Sequence, residues 1–260
     1  MEFRNIILET KEGVAWVTIN RPNVMNALNI ATLEELAQAF GEIDKASDVL
    51  AVVVRGAGEK AFVAGADIEE VSKLGLKDSL VYSKRGQGVF NQIEKLGKPV
   101  IAAINGLALG GGLELVLACT LRVMSEGAKL GFPEIGLGGI PGFGGTQRLP
   151  RLIGKSRAIW YITTGEMIDG AKALEIGLVH KVVPQASLEE ECKKLAQALT
   201  KKSPLAMRLA LQAIHSGMEI GQEDGFILES TLMTIASLSN DKKEGISAFF
   251  QKRPPKFTGD

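Results

Sequence analysis

NGLALGGGLELVLAC, residues 105–119, is the stretch from which the rest of the chain can be read. It places three consecutive glycines, Gly110, Gly111 and Gly112, directly before an apolar run that carries one carboxylate, Glu114. Glycine weakens regular structure by roughly 0.5–1 kcal/mol relative to Ala. A carboxylate among Leu, Val and Ala is costly to bury. Two such costs side by side point to a function. LELVLAC (113–119) is apolar all round, as suits a short buried helix, and that helix should begin near Gly111. KPVIAAING (98–106) before it reads as a buried strand. Residues 99–121 hold no Lys or Arg and approach the length of a membrane span. Pro99, Asn105, the glycines and the central Glu114 argue against a bilayer, so strand, turn and helix is the better reading.

The pattern extends in both directions. GVAWVTIN (13–20) reads as a strand ending at Arg21-Pro22, and VLAVVVRG (49–56) as a buried strand. TLEELAQAFGEIDKA (32–46) carries Leu33, Leu36, Phe40 and Ile43 at helical spacing, with Thr32 and Glu35 placed as a capping box. A helix is expected over about 78–96, with Val81, Val89, Phe90 and Ile93 facing inward. TLRVM (120–124) and AKLGF (128–132) are strand-like, and PEIGLGGIPGFGGTQRL (133–149) is a glycine-rich loop. From 187 onward the spacing is helical, first with Leu188, Cys192, Leu195 and Leu199 on one face, then over PLAMRLALQAIHSG to Gly217. This predicts an α/β core with a helical C-terminal region.

Composition narrows the function. Lys+Arg and Asp+Glu balance at 30 each, so no bulk positive field exists to hold nucleic acid or an anionic membrane. Two Cys and two His are too few for a Cys/His zinc site. Cys119 and Cys192 sit in apolar-periodic segments and read as packed thiols of a reducing compartment. The charged N-terminus lacks a secretory pattern, which favours the cytoplasm. Gly56-Ala57-Gly58-Glu59-Lys60-Ala61 matches a dinucleotide fingerprint only weakly, because Gly65 interrupts any helix after it. His180 and His215 have no G-x-S-x-G partner that would make a hydrolase triad.

Three glycine-containing stretches remain: AFVAGADIEE (61–70), NGLALGGGLELVLAC (105–119) and GFPEIGLGGIPGFGGTQR (131–148). Their order and spacing resemble the enoyl-CoA hydratase (crotonase) family. NRPNVMNAL (20–28), TGEMIDGAKALEIGLVHKVV (164–183) and FFQKRPPKF (249–257) extend the resemblance over essentially the whole chain. It implies an α/β fold, the crotonase (ClpP-like) spiral of repeated ββα units, with a core over 1–190 and a helical oligomerisation region over 191–260. Trimers or hexamers built as dimers of trimers are the implied assembly.

The implied reaction is reversible syn addition of water to a trans-2-enoyl-CoA. It requires the coenzyme A thioester as substrate and no metal or redox cofactor. Negative charge develops on the thioester oxygen, and prearranged N–H groups answer it. Gly111, at a helix start, presents a free N–H strengthened by the helix dipole. The resemblance assigns the second donor to Ala66. It assigns α-proton exchange to Glu134 and water activation to Glu114. Taken alone, Glu114 also fits a helix-start acid, and Glu134 a loop acid. Coenzyme A contacts are implied for Ala64, Ala66, Asp67, Ile68, Gly111 and Gly142, with Phe249 and Lys252 reaching a neighbouring subunit's ligand. Lys252 and Lys256 also fit a solvated basic tail. Glu69 stands where some hydratases carry a phosphate-binding lysine. Rival readings are an enoyl-CoA isomerase and a non-catalytic acyl-CoA-binding protein. The presence of both acids favours hydration.

Overall fold

The apolar runs become strands, and the chain winds them into a spiral. The computed structural model describes residues 3–260. An opening pair, β1 (Ile6–Lys11) and β2 (Val14–Ile19), leads into helix α1 (Ile30–Lys45). Three turns of two strands and a helix follow. The first is β3 (Ala51–Gly56), β4 (Ala61–Val63), the single turn α2 (Ile68–Val71) and α3 (Leu76–Glu94). The second is β5 (Val100–Ile104), β6 (Leu107–Leu109) and α4 (Gly111–Ala118). The third is β7 (Leu121–Ser125), β8 (Lys129–Gly131) and α5 (Gly145–Ile153). Then come α6 (Lys155–Thr164), β9 (Ile168–Asp169), α7 (Gly170–Glu175) and β10 (Lys181–Val183). Helices α8 (Leu188–Thr200), α9 (Pro204–Gly217), α10 (Gln222–Leu238) and α11 (Asn240–Phe250) complete the chain.

In each turn the first strand joins one sheet and the second strand joins another. The larger sheet has the order β1-β2-β3-β5-β7-β10, parallel except for β1. The smaller has the order β4-β6-β8-β9, parallel except for β9. These are the repeated ββα units that the resemblance implied.

The strands without polar alternation are covered on both faces. Val52 and Val54 of β3, with Ala102 and Ile104 of β5, face the main core beneath α1 and α3. Their neighbours Ala51, Val53, Ile101 and Ala103 face the opposite way, onto Leu188, Cys192 and Ala196 of α8. Period-two geometry splits one apolar run between two clusters. Helix α8 is therefore part of the core. A boundary at 190/191 falls inside this helix, and the core extends to about residue 200. Only α9–α11 form the appendage, and they leave Ile214, Met218, Ile227, Leu238, Phe249 and Phe250 exposed.

Three local expectations need correction. The cap of α1 is Asn29, whose side chain accepts from the Thr32 N–H at 2.8 Å. Glu35 instead receives the Asn5 N–H at 2.8 Å, a tertiary contact that local spacing does not encode. In α3, Val81 is 54% exposed, and Tyr82 and Gly86 turn inward beside Val89, Phe90 and Ile93. The 133–149 segment is more than a loop: it holds a 3-10 turn over Pro133–Leu137 and the first residues of α5. Among the described residues no helix is long and apolar enough to cross a membrane. Gly56, the first glycine of the G-x-G-x-x-A match, ends β3, and β4 rather than a helix follows.

Candidate active site

The parallel strands β4, β6 and β8 are neighbours, so their C-terminal ends share one edge of the smaller sheet. This is the edge at which open α/β sheets place their ligands. The segments leaving it are Ala64–Asp67, Gly110–Glu114 and Phe132–Glu134. All four residues assigned to the chemistry lie on these segments.

The glycine run now has a physical account. Gly110 adopts φ 48°, donates its N–H to Gly131 O at 2.9 Å, and accepts from Glu114 N at 2.9 Å. A Cβ there would lie 2.6 Å from Glu134 Oε1. A Cβ on Gly112 would overlap the Val63 carbonyl oxygen, so only glycine lets α4 sit on the end of β4. Gly111 is different. A Cβ on it would make ordinary contact with Phe143 and Leu28 at 3.4 and 3.6 Å. The steric demand thus falls on Gly110 and Gly112 rather than on Gly111. Gly111 contributes its N–H at the start of a helix whose eight residues are all buried.

The N–H groups of Ala66 and Gly111 meet no acceptor among the described residues. For Ala66 the reason is the parallel bridge to Leu28. Leu28 N donates to Gly65 O and Leu28 O accepts from Asp67 N, both at 2.8 Å. In such a bridge the intervening residue turns its own polar groups away from the partner strand. The segment is stiffened because Asp67 caps α2 and pairs with Arg21 at 3.0 Å. A Cβ on Gly65 would lie 3.5 Å from Leu109 O, so this segment runs alongside the start of α4.

Glu114 is 1% exposed. Its Oε1 accepts from the N–H groups of Phe143 and Gly145, both at 2.7 Å. Burial pushes its pKa up to about 7, while the two amides oppose the rise. The charge of Glu134 adds a smaller upward push, and Arg148 pulls slightly down. Glu134 is also raised by burial. Its Oε2 is buried with no hydrogen-bond partner among the described residues. A buried, unmatched carboxylate oxygen against Gly110, at a sheet edge that also carries two unmatched amides, is an arrangement that a ligand would complete.

The other expected contacts are spread more widely. Ala64 donates its N–H to Met25 O at 3.0 Å, and the carbonyls of Ala64 and Ala66 accept no hydrogen bond among the described residues. Ile68 is 66% exposed. Gly142, one residue before Phe143, accepts from Ser83 Oγ at 2.7 Å, which ties the glycine-rich loop to α3. Glu69 pairs with Lys73 at 2.8 Å. Phe249 lies in the last turn of α11 and Lys252 two residues beyond the helix, and neither makes a hydrogen bond to these residues. His180 has a structural role, with Nδ1 accepting from Arg122 N at 3.2 Å. Among the described residues, no group of three or more His, Cys, Asp and Glu is arranged to hold a metal ion.

Sequence reasoning missed Phe143, Gly145, Arg148 and Tyr82. Tyr82 donates its OH to Leu28 O at 3.3 Å and meets the Phe143 ring edge-on at 5.0 Å. The signal was the glycine-rich loop itself, which was read without the acid that its amides hold.

Comparison with known proteins concerns the chain as a whole. A family model described as enoyl-CoA hydratase/isomerase matches residues 9–260. A short-chain-enoyl-CoA hydratase from Clostridium acetobutylicum is 46% identical over 253 residues, 97% of each chain. A crotonyl-CoA hydratase from Syntrophomonas wolfei is 43% identical over 257 residues, 99% of each. The crystal structure of an enoyl-CoA hydratase from Bacillus anthracis superposes with a TM-score of 0.96 at 40% identity, covering 99% of this chain and all of that one. The chain belongs to the enoyl-CoA hydratase/isomerase family, and its fold is the crotonase spiral.

Proposed function

We propose that the protein is a hydro-lyase that adds water reversibly to short-chain trans-2-enoyl-CoA thioesters such as crotonyl-CoA, giving 3-hydroxyacyl-CoA. The observation that supports this reading is that Glu134 packs against Gly110 at the sheet edge from which Glu114 and the unmatched amides of Ala66 and Gly111 also leave. The names of the Clostridium and Syntrophomonas relatives support the short acyl chain.

The thioester oxygen sits between the Ala66 and Gly111 N–H groups. Glu114 orients a water and takes its proton as the oxygen bonds to C3. The C2=C3 π pair moves onto the thioester oxygen, and the two amides hold the resulting enolate. Glu134, protonated, delivers a proton to C2, and the enolate pair returns to form that C–H bond. Exchange with solvent restores both acids. Removing one oxyanion donor typically costs about 3–4 kcal/mol of barrier. Burial raises both carboxyls, and Glu114, pushed up to about 7, has protonated and ionised forms available near neutral pH. Backbone groups of Ala64, Ala66, Asp67 and Ile68 hold the adenine end of coenzyme A, and Gly142 lies near the sulfur. No metal or redox cofactor takes part. Trimers, or dimers of trimers, bury the apolar side chains of α9–α11, which sedimentation would detect.

The test is loss of enoyl-thioester ultraviolet absorbance on mixing with crotonyl-CoA. Hydration bleaches the band. Unchanged absorbance with folded protein, as a non-catalytic acyl-CoA binder would give, rejects the reading.

A further inference from the structure

We propose that Arg148 is a positioning residue for Glu114, acting through the Phe143–Gly145 peptide segment that it ties to α3. The rate readouts of this proposal rest on the hydratase reading above; the structural readout does not.

Glu114 Oε1 takes both of its hydrogen bonds from one short segment, so the carboxylate is only as well placed as that segment. Arg148 Nη1 donates to Phe143 O at 3.1 Å. The same guanidinium donates from Nε and Nη2 to Glu94 Oε2 at 3.1 and 2.9 Å, and from Nη2 to Asn91 Oδ1 at 2.6 Å. Its side chain is 11% exposed. Gly144 has φ 112°, and a Cβ there would overlap Arg148 Nη1, so the loop is shaped around the guanidinium.

The Phe143 ring gives the segment a second anchor on the same helix. It meets Tyr82 and Phe90 edge-on at 5.0 and 5.6 Å. It also occupies the space that a Cβ of Gly86 would need. The Phe143 carbonyl and ring are thus both fastened to α3, and its N–H is left aimed at Glu114. Lysine does not substitute here, because a single ammonium lacks the planar fork that spans carbonyl, carboxylate and amide together.

The charged and titratable groups around Glu114 are Glu134 from the turn after β8, Arg148 from α5 and Tyr82 from α3. Loss of Arg148 weakens the amide clamp and removes a positive charge, and both effects favour protonated Glu114. Arg148→Lys keeps the charge and loses the fork.

With crotonyl-CoA, Arg148→Met and Arg148→Lys should each lower kcat by about 10-fold to 100-fold, the scale of a small misplacement of a catalytic group. KM should change little, and the acid limb of kcat/KM should move to higher pH. In a Glu114→Gln background, Arg148→Met should cost nothing further. Additive losses, or an unchanged rate and pH profile in a folded variant, overturn the proposal. If Arg148→Met does not fold, Glu94→Gln, which loosens the anchor, should show the same dependence on Glu114, and additive losses there overturn the proposal equally. Isotope-edited infrared titration of ¹³C-glutamate protein, with the Glu114→Gln spectrum subtracted, reads the carboxyl directly. Its midpoint should rise in Arg148→Met or Glu94→Gln, and an unchanged midpoint refutes the positioning role whether or not the protein hydrates anything. Absence of wild-type hydration would count against the hydratase reading alone.

Discussion

Replacing Glu114 by Gln should inactivate the protein and, above neutral pH, stabilise it. In the native state the carboxyl titrates at about 7 because burial disfavours its charge. In the unfolded chain it returns to its ordinary 4.5. Between these values the native state holds a proton that the unfolded state has released, so stability falls as pH rises. At about 1.4 kcal/mol for each pH unit, the full cost of ionising the buried group is about 3 kcal/mol. Gln does not titrate, and its amide oxygen can still accept from Phe143 and Gly145. The stability of Glu114→Gln relative to wild type should therefore grow by about 3 kcal/mol between acidic and alkaline conditions. For a chain of this size that is a gain of several degrees in midpoint at about pH 8.5 over the difference at about pH 4.5. Thermal or urea unfolding of both proteins across that range reads it. A stability difference independent of pH, or one that shrinks as pH rises, would show that Glu114 is not held in this environment.

Other consequences are accessible to simple assays. Glu134→Gln should lower crotonyl-CoA turnover by about 100-fold, within the range of one proton-transfer group, with acyl-CoA binding largely kept; steady-state kinetics and calorimetry check both parts. Gly112→Ala should cost about 1–3 kcal/mol through overlap with the Val63 carbonyl, whereas Gly127→Ala, with open space around it, should stay within about 0.5 kcal/mol in the same melts. Asn29→Ala should cost about 1 kcal/mol by uncapping α1. Burial raises both thiols to about 12, so Cys119 and Cys192 should resist thiol reagents near pH 8 until the chain is unfolded.

Much of this architecture was legible because its signals are local. The strand runs of β3 and β5, the all-buried α4 and the glycines before Glu114 announce themselves within a few residues. The resemblance placed Ala66 and Glu134 in the same site, and the fold brings both to one sheet edge. What stayed hidden depends on pairing across the fold. Glu35 fits a capping box by spacing but is taken by the backbone at Asn5, leaving Asn29 to cap α1. Helical spacing places Val81 inward as readily as Tyr82, and only the position of Phe143 decides for Tyr82. Similarly, α8 shares the helical spacing of the appendage, and only the outer face of the larger sheet claims it for the core. Nothing in the order of residues says that Phe143 and Gly145 hold Glu114, because that contact joins positions 29 and 31 residues apart.

The central claim is that two main-chain amides and two carboxyls hydrate an enoyl thioester, and hydration in D₂O examines it most directly. Wild-type protein mixed with crotonyl-CoA should bleach the enoyl-thioester band and yield 3-hydroxybutyryl-CoA carrying deuterium at C2, with both signals nearly lost in Glu114→Gln and in Glu134→Gln. A wild-type band that persists, or bleaching that survives either substitution at full rate, would contradict it.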